Sequence, residues 1–170
     1  MRTNALMRAY LRNARVQEVM ARPLTPRMQA LLHEGVVETH GFWVLRRAAT
    51  ASAPPIRPGF QDATGYECFA NKLHVSDFVG SLEEDPWARR LRLKDQVGYG
   101  LRFAWELQRV LPTNGRFVII LGCSNACTLR FHLERPGEHW LTEDLEGYRR
   151  DALLELSNHD DLRGWVALPD

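Results

Sequence analysis

The sequence predicts an α+β domain with a mainly antiparallel sheet, and three observations carry that expectation. Phe117-Val118-Ile119-Ile120-Leu121 is apolar without a break and rich in β-branched residues, which suits a strand covered on both faces. After a turn at Gly122–Ala126 comes Cys127–Leu133, where Thr128, Arg130 and His132 alternate with Leu129, Phe131 and Leu133 as in a half-buried strand whose polar side meets water or a partner. Such a pair needs a layer over its apolar face, and the longest helical pattern, 87–111, ends just before it. The expected architecture is a central strand over 117–121 packed against a long helix over 87–111. Residues 1–35 form an N-terminal helical extension, and 36–170 form a single α+β domain. A chain of 170 residues, 45% hydrophobic, can bury one sizeable core.

In chain order, Ala5–Met20 fits one helix with Arg8, Arg12 and Arg15 on a common face and Leu6, Tyr10 and Met20 opposite. Thr25-Pro26 supplies an N-cap and a first-turn proline for a short helix to about His33, which Gly35 ends. Val36–Leu45 is rich in β-branched and aromatic residues and reads as a strand or hairpin with Gly41 at a bulge or turn. Ala48–Pro58, rich in Ala, Ser and Pro and without periodicity, reads as a surface loop. Tyr66–Val75 reads as a strand pairing into the sheet, followed by a turn or short helix at Ser76-Asp77.

Glu83-Glu84-Asp85-Pro86 sets negative charge and a proline at the start of the long helix, where the dipole favours anions. Within that helix Leu93, Val97, Leu101, Ala104, Trp105 and Leu111 form the apolar stripe, with Arg89, Arg92, Arg102 and Arg109 pointing away. Gly98 and Gly100 each cost helix propensity, which close packing on the sheet would explain. After the second strand, Thr142 caps one short acidic helical turn ended by Gly147. Arg149–Leu156 reads as a further strand, with a continued helix as the alternative, and Trp165–Leu168 as a short final strand.

Twenty of the 22 basic residues are Arg, and charge is uneven: residues 1–60 hold nine Arg against three Glu, and 111–170 hold six Arg against ten acids. Surfaces of opposite sign are therefore expected. Three cysteines form no even disulfide framework and no apolar run approaches a membrane span, so a soluble protein with reduced, dispensable thiols is expected. Cys68, Asn71 and His74 invite a thiol-hydrolase reading, but on a strand rising ~3.3 Å per residue Cys68 and His74 stand about 20 Å apart. Cys123 and Cys127 with His132 and His139 resemble a zinc cluster only loosely, because His132 lies down the strand from the turn. Phosphate-binding, dinucleotide and nucleophile-elbow motifs are absent. The acidic group Glu134, Glu138, Glu143, Asp144 and Glu146 beside Trp140 and Tyr148 has the composition of a surface that covers a basic partner.

The stretch from Arg116 to Tyr148, through Phe117–Leu121, Cys127–Leu133 and Arg135-Pro136-Gly137-Glu138-His139-Trp140-Leu141-Thr142-Glu143-Asp144-Leu145-Glu146-Gly147-Tyr148, resembles small bacterial immunity proteins of contact-dependent growth inhibition and related polymorphic-toxin systems. Tyr66–Phe78 looks like an earlier strand of the same family. The resemblance implies a cytoplasmic protein that is no enzyme and needs no cofactor or metal. It would bind a cognate secreted toxin's C-terminal domain, a nuclease by expectation, and cover its active site or substrate surface. The implied contact residues are Glu138, Trp140, Glu143, Asp144, Glu146 and Tyr148, and reversing Glu143, Asp144 and Glu146 to Lys is expected to leave the free protein's unfolding unchanged. Neither a membrane, a small-molecule substrate nor nucleic acid is an implied partner. The alternatives are a small nucleic-acid-associated protein using the Arg-rich N-terminal helix and a thiol or metal-dependent enzyme.

Overall fold

The computed structural model describes residues 1–50, 59–79 and 86–160, with the side chains of Thr50 and residues 86–91 outside the description. Five antiparallel strands form the main sheet: β1 (Arg2–Thr3), β4 (Leu73–His74), β5 (Phe117–Cys123), β6 (Cys127–Leu133) and β7 (Ala152–Ser157), in the order β1-β7-β5-β6-β4. A separate hairpin pairs β2 (Val36–Thr39) with β3 (Phe42–Leu45). The unbroken apolar run is the central strand because both its neighbours are long and both its faces are covered. Register divides its residues: Ile119 sits opposite Phe131 and Leu156, and Leu121 opposite Leu129 and Leu154, all on the face beneath the helices. Val118 sits between His132 and Ser157, and Ile120 between Arg130 and Glu155, on the other face.

The long helix α6 (Pro86–Val110) lies on the first face and is buried on more than one side. Besides the expected Val97, Leu101, Ala104 and Trp105, its Gln96, Phe103 and Leu107 are buried, because other helices cover what the sheet does not. Those helices are α2 (Ala14–Met20), α3 (Pro26–Glu34) and α5 (Ser76–Val79), while α1 (Ala5–Leu11) packs mainly on β7. The single helix expected over Ala5–Met20 is two, since the Asn13 side chain accepts from Arg15 N and starts α2 afresh. The break scatters the arginine face: Arg8 binds Thr3 O and Glu146, Arg15 binds Asp95 and Glu18, and Arg12 is exposed. Residues 1–35, read as an extension, supply Met7, Leu11, Val16, Met20, Met28 and Leu31 to the same apolar cluster as Leu121 and Phe131. Arg102 does not point away from α6's core; its guanidinium lies 4.6 Å from the Trp105 ring centre and bonds Glu106.

The two glycines of α6 serve different neighbours. A Cβ on Gly100 would lie 2.7 Å from Leu121 Cδ1, so this residue permits the expected approach to the sheet. A Cβ on Gly98 would lie 2.8 Å from Val19 Cβ and 2.9 Å from Val16 O, so the close approach there is to α2.

The largest departure from the sequence reading is Tyr66–Val75. It is not a strand: α4 (Ala63–Ala70) runs through most of it, capped by Asp62, whose carboxylate accepts from Gly65 N, and only Leu73–His74 is extended. The Tyr66/Cys68/Ala70 alternation imitated a strand, while the deciding signals were the Asp62 cap and the one-turn spacing of Glu67 and Asn71. A helix at Ser76–Val79, α5, follows as expected. The Cys68, Asn71 and His74 trio separates completely. Cys68 is buried under the sheet with its thiol pushed up to about 12 by burial, Asn71 is buried in backbone hydrogen bonds, and His74 is exposed on β4.

Cys123 and Cys127 are joined by a disulfide, which overturns the expectation of reduced thiols at these positions. The reason lies in register: they are direct partners at the end of the β5–β6 hairpin, with Cα atoms 4.1 Å apart, so both side chains leave the same face of the sheet. In the β2–β3 hairpin the turn residues His40 and Gly41 both have positive φ, 51° and 81°, as a two-residue turn matched to strand twist requires. Arg149–Leu156 resolves into β7, as read, and residues 51–58, Glu83–Asp85 and Trp165–Leu168 lie outside the described residues.

Gly98→Ala tests the α2–α6 contact. Alanine gains ~1 kcal/mol in helix propensity, yet overpacking against a backbone carbonyl costs about 1–3 kcal/mol, so the variant should melt several degrees lower than wild type. An unchanged or higher midpoint would show that the helices do not meet there.

Candidate functional site

On the sheet face opposite α6, a groove of about 470 Å³ lies under the chain that leaves β6. Its floor is Val118, His132, Glu155 and Ser157, and its walls include Arg2, Arg116, Glu134, Glu138, Trp140 and Glu143. The wall begins with a tight turn at Arg135-Pro136-Gly137-Glu138, where Glu138 N donates to Arg135 O at 3.2 Å and Gly137 takes φ 77°. Proline fixes the first central position and glycine supplies the left-handed second one.

Two side chains of this turn clamp it to α4. Arg135 donates to both oxygens of the fully buried Glu67, at 2.6 and 3.1 Å, and Glu138 Oε2 accepts from Thr64 N at 2.9 Å near the start of α4. Further on, Leu141 packs on Cys68, Val118 and Ile120, and the buried Leu145 anchors a 3₁₀ turn at Leu145–Gly147. Arg130 rises from β6, donates to Cys68 O and lies 5.0 Å from the Trp140 ring centre.

The groove's cations are engaged from within. Arg2 donates to both oxygens of Glu155, at 2.8 and 2.6 Å, and to Glu143 O, while Arg116 pairs with Glu134 at 3.4 Å. His132, 4% exposed, places Nδ1 2.9 Å from Leu133 O. A carbonyl oxygen can only accept, so Nδ1 carries the hydrogen and the neutral ring's lone pair is on Nε2. Burial, the largest influence, holds the imidazole below its ordinary value against the pull of the Leu133 carbonyl, Glu67 and Glu155. His132 and Ser157 flank Val118 on opposite sides, two strand spacings or roughly 10 Å apart, too far to share a proton.

The six residues proposed from the sequence fall into two groups. Glu138, Trp140 and Glu143 line the groove, and of these Trp140, 39% exposed, and Glu143 present their side chains outward. Asp144, Glu146 and Tyr148 do not line it. Asp144 accepts from Glu146 N, the Tyr148 hydroxyl accepts from Thr142 N, and Glu146 accepts from Ala5 N and from Arg8, which lowers its carboxyl below the usual range. Reversing Glu146 therefore attacks the anchorage of α1, and a lowered unfolding midpoint is expected in place of an unchanged one. Sequence reading missed Arg2, Arg116 and Glu155. Only the β1–β7–β5 register unites them, and the alternation of Leu153, Glu155 and Ser157 was the one available hint.

Among the described residues, no group of three or more His, Cys, Asp or Glu side chains could hold a metal ion. No helix of the described residues is long and apolar enough to cross a membrane. An antiparallel five-stranded sheet with α6 and its neighbours on one face, and α4 and a looped-over groove on the other, defines the class of fold. The chain belongs to the uncharacterized protein PM0498 family, whose model matches residues 2–163. No curated protein and no solved structure matches it.

His132 makes a stability prediction with a definite sign. Its folded value lies below the unfolded value of 6.5, so the unfolded chain takes up the proton first as pH falls. Stability should be full above about 6.5 and decline through the window between that value and the lowered folded one. His132→Gln should flatten this part of the curve in a denaturant series across pH. A wild-type curve level from pH 7 to 5 would contradict the buried neutral ring.

Proposed function

We propose that this chain is a binding protein of the immunity type, which neutralises the C-terminal domain of a secreted toxin, a nuclease, inside the cytoplasm of the producing cell. The groove beneath the Arg135–Tyr148 chain carries the reading, because it presents an exposed tryptophan beside a carboxylate on a rigidly clamped wall. A tryptophan at the centre of a patch is a common source of binding energy, and carboxylates beside it match a surface built to hold phosphates. Trp140 and Glu143 are the recognition residues; Glu138, Asp144, Glu146 and Tyr148 shape the wall that presents them. The nucleic-acid alternative relied on the N-terminal arginines, and the capture of Arg8 and Arg15 by Glu146, Asp95 and Glu18 favours a protein partner instead. The Cys123–Cys127 bridge is compatible with this compartment because both cysteines are at most 3% exposed, out of reach of soluble reductants while the hairpin is closed.

The test is to co-purify the chain with the C-terminal domain of a secreted protein encoded beside it. A one-to-one complex is expected. Trp140→Ala should weaken it by about 2 kcal/mol, and Glu143→Lys should slow association and reduce its salt dependence, each with thermal unfolding shifted by no more than ~1 kcal/mol. Absence of such a complex, or wild-type binding by the double variant, would contradict the proposal.

A further inference from the structure

His132 is an unusual floor for a groove. The residue is 96% buried, its other nitrogen is committed to Leu133 O, and its side chain lines the groove beside Val118 and Ser157. A neutral lone pair held there is an acceptor waiting for a donor. The surrounding charges favour a donor that is also a cation. Glu134, Glu138, Glu143, Glu155 and Asp160 line the groove against Arg2, Arg116 and the ammonium of Met1, and each of those three cations is already paired with a carboxylate. An anion entering the groove would find the positive groups occupied and an acceptor at the floor. Above the floor, Trp140 has Arg130 near one part of its ring yet remains 39% exposed, which leaves aromatic surface for a second planar cation.

We propose that the groove is a receptor for one cationic side chain of the partner protein, an arginine in preference to a lysine, which stacks on Trp140, faces Glu143 and donates a hydrogen bond to His132 Nε2. The inference rests on the binding reading above and specifies what the partner inserts. Arginine is preferred because its planar guanidinium stacks on an aromatic ring while keeping its in-plane N–H groups available, whereas an ammonium is a compact, strongly hydrated point charge. The groove then works as a selective filter for a nuclease surface rich in arginine, and Glu143 supplies the long-range attraction at its mouth.

The full chain, labelled with ¹⁵N at histidine and tryptophan, is titrated separately with Nα-acetylarginine amide, Nα-acetyl-lysine amide and inorganic phosphate. The arginine probe should produce a saturable shift of the His132 Nε2 resonance toward lower frequency together with a shift of the Trp140 indole. The lysine probe should bind more weakly, and phosphate should move neither signal. Trp140→Ala and Glu143→Gln, both at exposed positions outside the apolar core, should each reduce affinity for the arginine probe by about fivefold. A phosphate response equal to the arginine response, or no saturable response to arginine, overturns the proposal. The same two signals followed on addition of the toxin domain separate the two ideas. A complex that leaves both signals unmoved overturns this inference and leaves the binding reading standing. Arginine binding without any toxin complex supports the receptor and overturns that reading.

Discussion

The carboxylate of Glu67 on α4 and the amide of Asn71, its C-cap one turn further on, stand between two strand edges that do not pair with each other. Glu67 accepts from Trp43 N on β3 and from Leu133 N on β6, and Asn71 accepts from Leu45 N while donating to Trp43 O and Phe131 O. Both side chains are fully buried. They do for these edges what a ladder of backbone bonds does elsewhere, satisfying donors and acceptors that would otherwise be stranded away from water. A buried carboxylate is tolerated here because Arg135 closes on it through two hydrogen bonds, leaving neither charge unpaired. Removing one partner of such a pair costs about 3–5 kcal/mol, a large share of the stability of any domain this size.

The groove inherits its shape from that brace. The chain leaving β6 is held at Arg135 by Glu67 and at Glu138 by Thr64 N, so α4 sets both where the wall begins and how it tilts. The opposite rim comes from the N-terminal strand. Asn4, 1% exposed, caps α1 through Met7 N, accepts from Leu153 N and donates to Tyr148 O and Asp151 O, which ties the far end of the wall to β7. Asn158 does comparable work at the start of β5, accepting from Phe117 N and donating to Pro112 O and Gly115 O. Single asparagines thus fasten the joints between segments distant in sequence, while the apolar layer under α6 supplies the bulk of the core.

What could be read in advance follows from how local the signal is. β6 and α6 announced themselves because period-two and period-3.6 patterns run for many residues, and β5 because its apolar run is unbroken. The α4 segment was misread because eight residues are too few for periodicity to decide, and its helix is stabilised by buried polar contacts that a hydrophobic pattern cannot register. Trp140 and Glu143 were legible as a surface from composition. The groove was not, since Arg2, Arg116, His132 and Glu155 meet only through the strand order β1-β7-β5-β6. The internal roles of Glu138 and Glu146 were hidden for the same reason: their partners, Thr64 N and Ala5 N, lie 74 and 141 residues away.

Glu67 acts as a substitute for strand pairing, and amide hydrogen exchange in wild type and Glu67→Gln measures that directly. Glutamine keeps the size of the side chain but turns one acceptor into a donor, facing it toward N–H groups that already donate. In wild type the amides of Trp43 and Leu133 should exchange nearly as slowly as those of Ile119 and Leu121. In the variant their protection should fall together, with the Trp140 region loosening alongside, while the central strand stays protected. Rapid exchange at Trp43 and Leu133 in wild type, or protection there untouched by Glu67→Gln, would contradict it.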